Sequence, residues 1–173
     1  SLPLLRNAES QPEGFSARFM EIDLTKLSPT RTMSVISDQS LITDHWSLIT
    51  AFAVLHHIPS TEMRLDILKT VRKLLKEDGK FILSNWQFLN SEKLKSRIQS
   101  WNKVGINEND LDEGDYLLDW RSGGQGLRYA HHFSAEELLG LAEQVEMRVT
   151  DSFSSDGDGG NLGLYQVWVP ITY

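Results

Sequence analysis

At 173 residues, with 40% hydrophobic and 24% charged residues, the chain has the size and composition of one globular domain with a substantial core. No run approaches the length of a membrane-spanning helix, and no basic segment followed by an apolar one opens the sequence, so neither a span nor a signal peptide is expected. Cysteine is absent, which excludes disulfides, thiolate metal sites and cysteine nucleophiles and leaves a reducing cytoplasm as the default compartment. The net charge of −7 argues against nonspecific nucleic-acid binding, which draws on a basic face, but leaves docking of one structured RNA open.

In chain order, Leu2, Leu4, Leu5 and Ala8 predict a short opening helix, ended by the cluster Gln11-Pro12-Glu13-Gly14. Phe15 to Leu24 alternates roughly and predicts a strand running into Asp23, whereas Thr25 to His45 has no period and reads as loop. Trp46 to Leu55 is nearly continuous apolar sequence, as in a parallel strand buried on both faces. From Pro59-Ser60-Thr61 a helix begins, with Met63, Ile67, Leu68, Val71, Leu74 and Leu75 on one face and Gly79 as its stop. A short strand, Lys80 to Trp86, completes a strand–helix–strand unit for which a right-handed crossover is expected.

Ser91 to Val104 predicts a second amphipathic helix capped by Ser91, and Asn107 to Gln125 has no clean periodicity. Ser134 with Glu137 opens a further helix through about Gln144. Val145 to Phe153 and Leu162 to Val169 read as strands joined at Asp156-Gly157-Asp158-Gly159-Gly160-Asn161, an antiparallel hairpin. The pattern is an α/β fold with a C-terminal antiparallel hairpin.

The stretch Val54-Leu55-His56-His57-Ile58-Pro59, the following helix and Asp78-Gly79-Lys80 resemble the fourth strand, turn and fifth strand of class I S-adenosylmethionine-dependent methyltransferases, a Rossmann-like fold. Ser1 to Ala8 resembles that family's helix after the second strand, and Phe19 to Leu24 its third strand. The resemblance implies S-adenosylmethionine as cofactor, with Asp23 meeting the adenine amine and Ile22 and Leu24 covering its ring. It also implies that Ala51 and Phe52 offer carbonyls to the methionine ammonium, with Val54 and His56 lining the same site. Adjacent His56 and His57 on a regular backbone do not make a chelating pair, so no metal is expected.

The family's glycine-rich loop after the first strand and the ribose-binding acid after the second have no counterpart in the chain. The expectation is therefore one methyltransferase-like domain over 1–173, N-terminally truncated with its N-terminal strands missing, that holds cofactor poorly alone. An unpaired sheet edge in such a domain favours a homodimer.

The segment Gly114-Asp115-Tyr116-Leu117-Leu118-Asp119-Trp120-Arg121, then Leu127 to Leu138, is similar to the tRNA wobble-uridine carboxymethyl methyltransferases. That resemblance implies a carboxylate acceptor on tRNA; a small-molecule acceptor, or a non-catalytic partner subunit, are the alternatives. A carboxylate is already nucleophilic, so it needs positioning and charge pairing rather than a strong base. Arg128 suits a forked contact to it, Tyr129 and His131 suit its orientation, Trp120 suits stacking, and His57 suits the pocket wall. For a phenol or amine acceptor, His57 or His131 would take the proton.

Overall fold

The computed structural model describes residues 46–121 and 126–172. The elements predicted over Ser1 to Ala8 and Phe15 to Leu24, and with them Ile22, Asp23 and Leu24, lie outside these residues. No helix among the described residues is long and apolar enough to cross a membrane.

Strand β1 (Trp46–Phe52) leads through a single 3-10 turn (Leu55–His57) into α1 (Thr61–Leu74), and β2 (Leu75–Trp86) follows directly. Helix α1 begins where expected: the Ser60 hydroxyl accepts the Met63 N–H as its cap, with Glu62 in the first turn and Arg72 and Lys73 in the last, each favourable to the helix dipole. Strands β1 and β2 are parallel, Ile49 opposite Phe81 and Phe52 opposite Ser84. The helix ends at Leu74, so Gly79 is not its stop as expected: Leu75 and Gly79 both lie in β2, whose register against β1 slips between Trp46 and Leu48. Gly79 is required there, because a Cβ would lie 2.8 Å from both the Trp46 carbonyl oxygen and Leu75 Cγ.

The C-terminal hairpin, β6 (Met147–Ser155) and β7 (Gly163–Pro170), extends this sheet antiparallel in the order β1-β2-β7-β6. Helix α3 (Ala135–Gln144) begins where expected, the Ser134 hydroxyl accepting the Glu137 N–H. It packs beside α1, and together they cover one sheet face, burying Leu68, Leu75, Phe81, Leu83, Leu138, Leu141 and Trp168 in one core. Trp168 and Phe81 meet edge-to-face with centroids 5.7 Å apart. At about 1.5–3 kcal/mol for each fully buried large side chain, this cluster is the main apolar core of the described residues.

Three expectations are corrected. Trp46 to Leu55 is not buried on both faces: the strand ends at Phe52, and Trp46, Leu48 and Phe52 are exposed. Ser91 to Val104 is not one helix. Ser91 caps only α2 (Glu92–Lys95), β3 (Ile98–Gln99) follows, and Ser100 starts a separate 3-10 turn at Trp101–Val104. Serines at 96 and 100 bond locally in competition with the helix, and β3 gains a partner in β4 instead. The stretch without periodicity contains β4 (Asp115–Trp120), which pairs with β5 (Gly126–His131) in a second, antiparallel sheet of order β3-β4-β5. Phe88, Leu118 and Ala130 form its small core.

Candidate active site

The carboxyl ends of parallel strands are where ligands bind in open α/β sheets. Here β1 ends at Phe52 and β2 at Trp86, and the chain leaves β1 through Ala53 in the left-handed region at φ 53°. The Ala53 N–H donates to the Ser84 carbonyl at 3.0 Å and to its hydroxyl at 3.1 Å, which holds that strained residue in place. A cavity of about 300 Å³ opens beside it. Its walls come from the β1 exit (Ala53, His56, His57), the end of β2 (Ser84, Asn85, Trp86), the second sheet (Trp120, Arg128) and the β6–β7 turn (Asp156, Leu162, Gly163). Asp156 is a second non-glycine residue with positive φ, at 69°, so two of the strained residues border this one cavity.

The Arg128 guanidinium lies 3.8 Å from the Trp120 ring centroid, a cation–π stack that keeps its plane fixed while leaving its N–H groups available. Among the described residues Arg128 has no ion pair, whereas Arg121 is committed to Asp119 at 2.6 Å.

The two cavity histidines differ in tautomer because their partners differ. The Trp86 N–H donates to His56 Nδ1 at 3.2 Å, so that nitrogen carries no proton and Nε2 does. Burial, with neighbouring His57 second, lowers the His56 pKa to about 3, so the ring is neutral and has no free lone pair. His57 is reversed. Its Nδ1 donates to the Tyr129 carbonyl at 3.3 Å, which leaves the Nε2 lone pair unused, and burial lowers its pKa so that this neutral form prevails near pH 7.

Tyr129 and His131 project from β5 away from the cavity lining, into a buried polar network under α1. Arg64, wholly buried, donates to the Ile58 carbonyl at 3.0 Å, to Asp112 at 3.2 Å, to Asp115 at 3.1 Å and to the Tyr129 hydroxyl. The Tyr129 hydroxyl in turn donates to Asp115 at 2.6 Å. His131 bonds Asp115 through Nδ1 at 2.6 Å and Glu137 through Nε2 at 2.9 Å. Carboxylates only accept, so both ring nitrogens carry protons and His131 is an imidazolium. Burial alone would lower its pKa, but Asp115 and then Glu137 outweigh burial and raise it. For Asp115, burial pushes the pKa up and the bonds from His131, Tyr129 and Arg64 bring it below its ordinary value. Burial and the Asp115 bond raise Tyr129.

Of the sequence candidates, the fold thus brings His56, His57 and Arg128 to one cavity, with Trp120 stacked beneath Arg128. Ala51, Phe52 and Val54 lie along the β1 exit, Phe52 half exposed. Arg64, Asp112 and Asn85 were not among the candidates. Arg64 carried a signal, since it stands four residues before Leu68 on the apolar stripe of α1, where an unpaired charge would be too costly. Asn85 carried none.

A family model described as a methyltransferase domain matches residues 3–152. A protein of Encephalitozoon cuniculi (strain GB-M1) that carries a methyltransferase designation is 29% identical over 106 residues, which are 61% of this chain and 46% of that protein. The chain thus spans about half the length of the curated relative it matches. S-adenosylmethionine-dependent methyltransferase structures from Clostridium acetobutylicum ATCC 824 and Methanosarcina mazei both align with TM-score 0.66, at 15% and 20% identity. They cover 99% of this chain and 73% and 77% of theirs. A 1,6-didemethyltoxoflavin-N1-methyltransferase of Burkholderia thailandensis, with bound 1,6-didemethyltoxoflavin and S-adenosylhomocysteine, aligns at TM-score 0.56 and 16% identity over 99% of this chain and 56% of that one. At these identities the likeness establishes the α/β Rossmann-like fold.

Proposed function

Because this chain belongs to the methyltransferase domain family, we propose that it works in S-adenosylmethionine-dependent methyl transfer to the carboxylate of a compact acceptor seated in the cavity beside His57 and Arg128. The observation that carries this reading is the Arg128 guanidinium, stacked on Trp120, lining that cavity and bearing no ion pair among the described residues. A preorganised, uncommitted guanidinium is a ready partner for an anion.

S-adenosylmethionine supplies an activated methyl group on sulfonium sulfur, and a carboxylate accepts it without losing a proton, giving a methyl ester and S-adenosylhomocysteine. The open carboxyl end of β1, exposed at Phe52 and Ala53, fits the cofactor's amino-acid end, with Ala51 and Phe52 carbonyls towards its ammonium. Ile22, Asp23 and Leu24 complete the cofactor site in this reading. Arg128 orients the acceptor carboxylate, His57 shapes the wall, and the Arg64–Asp115–His131 network holds β5 and therefore Arg128 in position. Tyr129 and His131 are positioning residues in this scheme. An imidazolium has no lone pair with which to take a proton, so for a phenol or amine acceptor His57 is the base and His131 is not.

A compact acceptor is favoured over tRNA by the net charge of −7 and by the pairing of Arg121 with Asp119. A cavity of about 300 Å³ is also at the small end for ligand sites, about the room of one substituted ring. The test is transfer of labelled methyl from S-adenosylmethionine to a panel of aromatic and heteroaromatic carboxylates and to unfractionated tRNA, scored as base-labile label. Ester formation that Arg128→Gln removes supports the reading. Base-stable product, label in tRNA alone, or no product with any carboxylate would overturn it.

A further inference from the structure

Asn85 is 1% exposed, and neither atom of its side-chain amide has a hydrogen-bond partner among the described residues. It lies close enough to His56 to oppose the burial that lowers that ring's pKa, yet reaches no bonding geometry. The other buried polar atoms without partners differ in kind. Arg72 Nε belongs to a guanidinium already on Glu77, Asp119 Oδ1 to a carboxylate already on Arg121, and His132 Nε2 is a single ring nitrogen. Among the buried side chains of the described residues, Asn85 alone has both a donor and an acceptor without a hydrogen-bond partner.

A buried amide with no protein partner is expensive unless a ligand satisfies it, and an apolar residue of the same shape would avoid the cost. The position explains it. Asn85 stands on β2 between Ser84 and Trp86, on the wall of the cavity that Arg128 and His57 also line. Its backbone is tied into the sheet opposite Leu164, so the amide plane alone is free to turn, about a terminal torsion that is broad and soft.

Resting on the reading that this cavity takes the acceptor, we propose that Asn85 is a specificity-determining residue that recognises an acceptor with a hydrogen-bond donor and acceptor side by side. A lactam or imide edge on the ring that bears the carboxylate has that chemistry. A primary amide offers one carbonyl and two N–H donors, and pairs with such an edge through two antiparallel bonds. Arg128 selects for charge, and Asn85 for the polar edge of the ring.

The test compares two planar carboxylates by calorimetry on the full chain, with and without S-adenosylhomocysteine: benzoate, and 6-hydroxynicotinate in its pyridone form, which adds a lactam. The wild-type chain is expected to bind the pyridone at least tenfold more tightly than benzoate. Asn85→Leu is expected to bind both alike while melting no lower than wild type, because it deletes an idle amide. Retention of the pyridone preference in Asn85→Leu, a drop in its melting temperature, or equal binding of the two probes by wild type would each overturn the inference. Benzoate binding that Arg128→Gln abolishes leaves the function reading standing in those cases. Binding of neither probe sinks both.

Discussion

Replacing Asp115 with Asn tests the network that holds β5. The carboxylate accepts from Arg64, the Tyr129 hydroxyl and His131 through Oδ1, and from the Asp112 N–H through Oδ2 at 3.2 Å. Its side chain is 5% exposed and that of Arg64 is 0% exposed, so the pair is not screened by solvent. Asn keeps the shape and removes the charge, leaving Arg64 with half-exposed Asp112 and His131 with Glu137. Breaking one partner from a buried pair costs about 3–5 kcal/mol. For a domain of this size that is a fall in melting temperature of roughly 10 °C. The pH dependence carries the sign. Asp115 lies below its ordinary value, so its contribution is present above the ordinary carboxylate range and is lost as pH falls through the folded value. His131 is raised, so its contribution is complete below the ordinary imidazole range and is lost as pH rises through the folded value. Wild-type stability from this site therefore peaks between those ranges, and the peak flattens in Asp115→Asn. Denaturant unfolding at several pH values measures both effects. A loss under about 1 kcal/mol with an unchanged pH profile would refute the account of a buried, charge-paired network.

Arg128→Gln should raise the KM for a carboxylate acceptor roughly 10- to 100-fold, as loss of a charge-assisted contact requires, while chemical unfolding registers a change of only about 0.5–1 kcal/mol. A fall in stability as large as that of Asp115→Asn would mean that Arg128 is structural. His57→Phe separates the acceptor classes in steady-state kinetics: for a phenol or amine acceptor kcat should fall roughly 10²–10⁴-fold, whereas a carboxylate acceptor needs no base. Because the His57 pKa is lowered, any base-dependent activity is lost only on the acid side of the ordinary imidazole range. Gly163→Ala places a Cβ 2.6 Å from Asp156 Oδ2 and 2.8 Å from Tyr165 Cε2. It should cost about 1–3 kcal/mol in thermal unfolding and weaken acceptor binding through the cavity wall. A neutral result there would show that the hairpin turn yields freely.

The parts legible in the sequence are those whose signal is local. The Ser60 and Ser134 caps, the apolar stripe of α1 and the β6–β7 hairpin each rest on residues a few positions apart, and each stands where the pattern puts it. What was not legible depends on distant partners. Ile98 and Gln99 read as helix until Leu117 and Leu118 offer them strand pairing. Strands β4 and β5 lack alternation because Tyr129 and His131 face a buried polar network in place of an apolar layer. The site divided along the same line. Family resemblance picked out Arg128, Tyr129 and His131 as a group, since they lie within four residues. Which of them line the cavity depends on Arg64 and Asp115, far away in sequence.

The histidines show how completely partners, and not residue type, assign the chemistry. His56 and His57 are adjacent and pack edge-to-face with ring centroids 4.2 Å apart, yet their free nitrogens have opposite character. A backbone N–H from Trp86 makes His56 a fixed donor at Nε2, and a backbone carbonyl from Tyr129 leaves His57 a lone pair at the same atom. His131, between two carboxylates, is charged and serves as a strut. The Tyr129 carbonyl links the last two roles: the residue whose hydroxyl is locked by Asp115 also sets the His57 tautomer through its main chain. Disturbing the buried network should therefore reach the cavity by moving the Tyr129 backbone. Tyr129→Phe, which keeps that backbone and removes one hydroxyl, should cost about 1 kcal/mol and leave the His57 titration where it is. Asp115→Asn should shift that titration as β5 relaxes. Following the His57 ring proton resonance against pH in both variants distinguishes a rigid strand from a chain of independent side chains: equal curves in the two would mean that the network and the cavity are uncoupled.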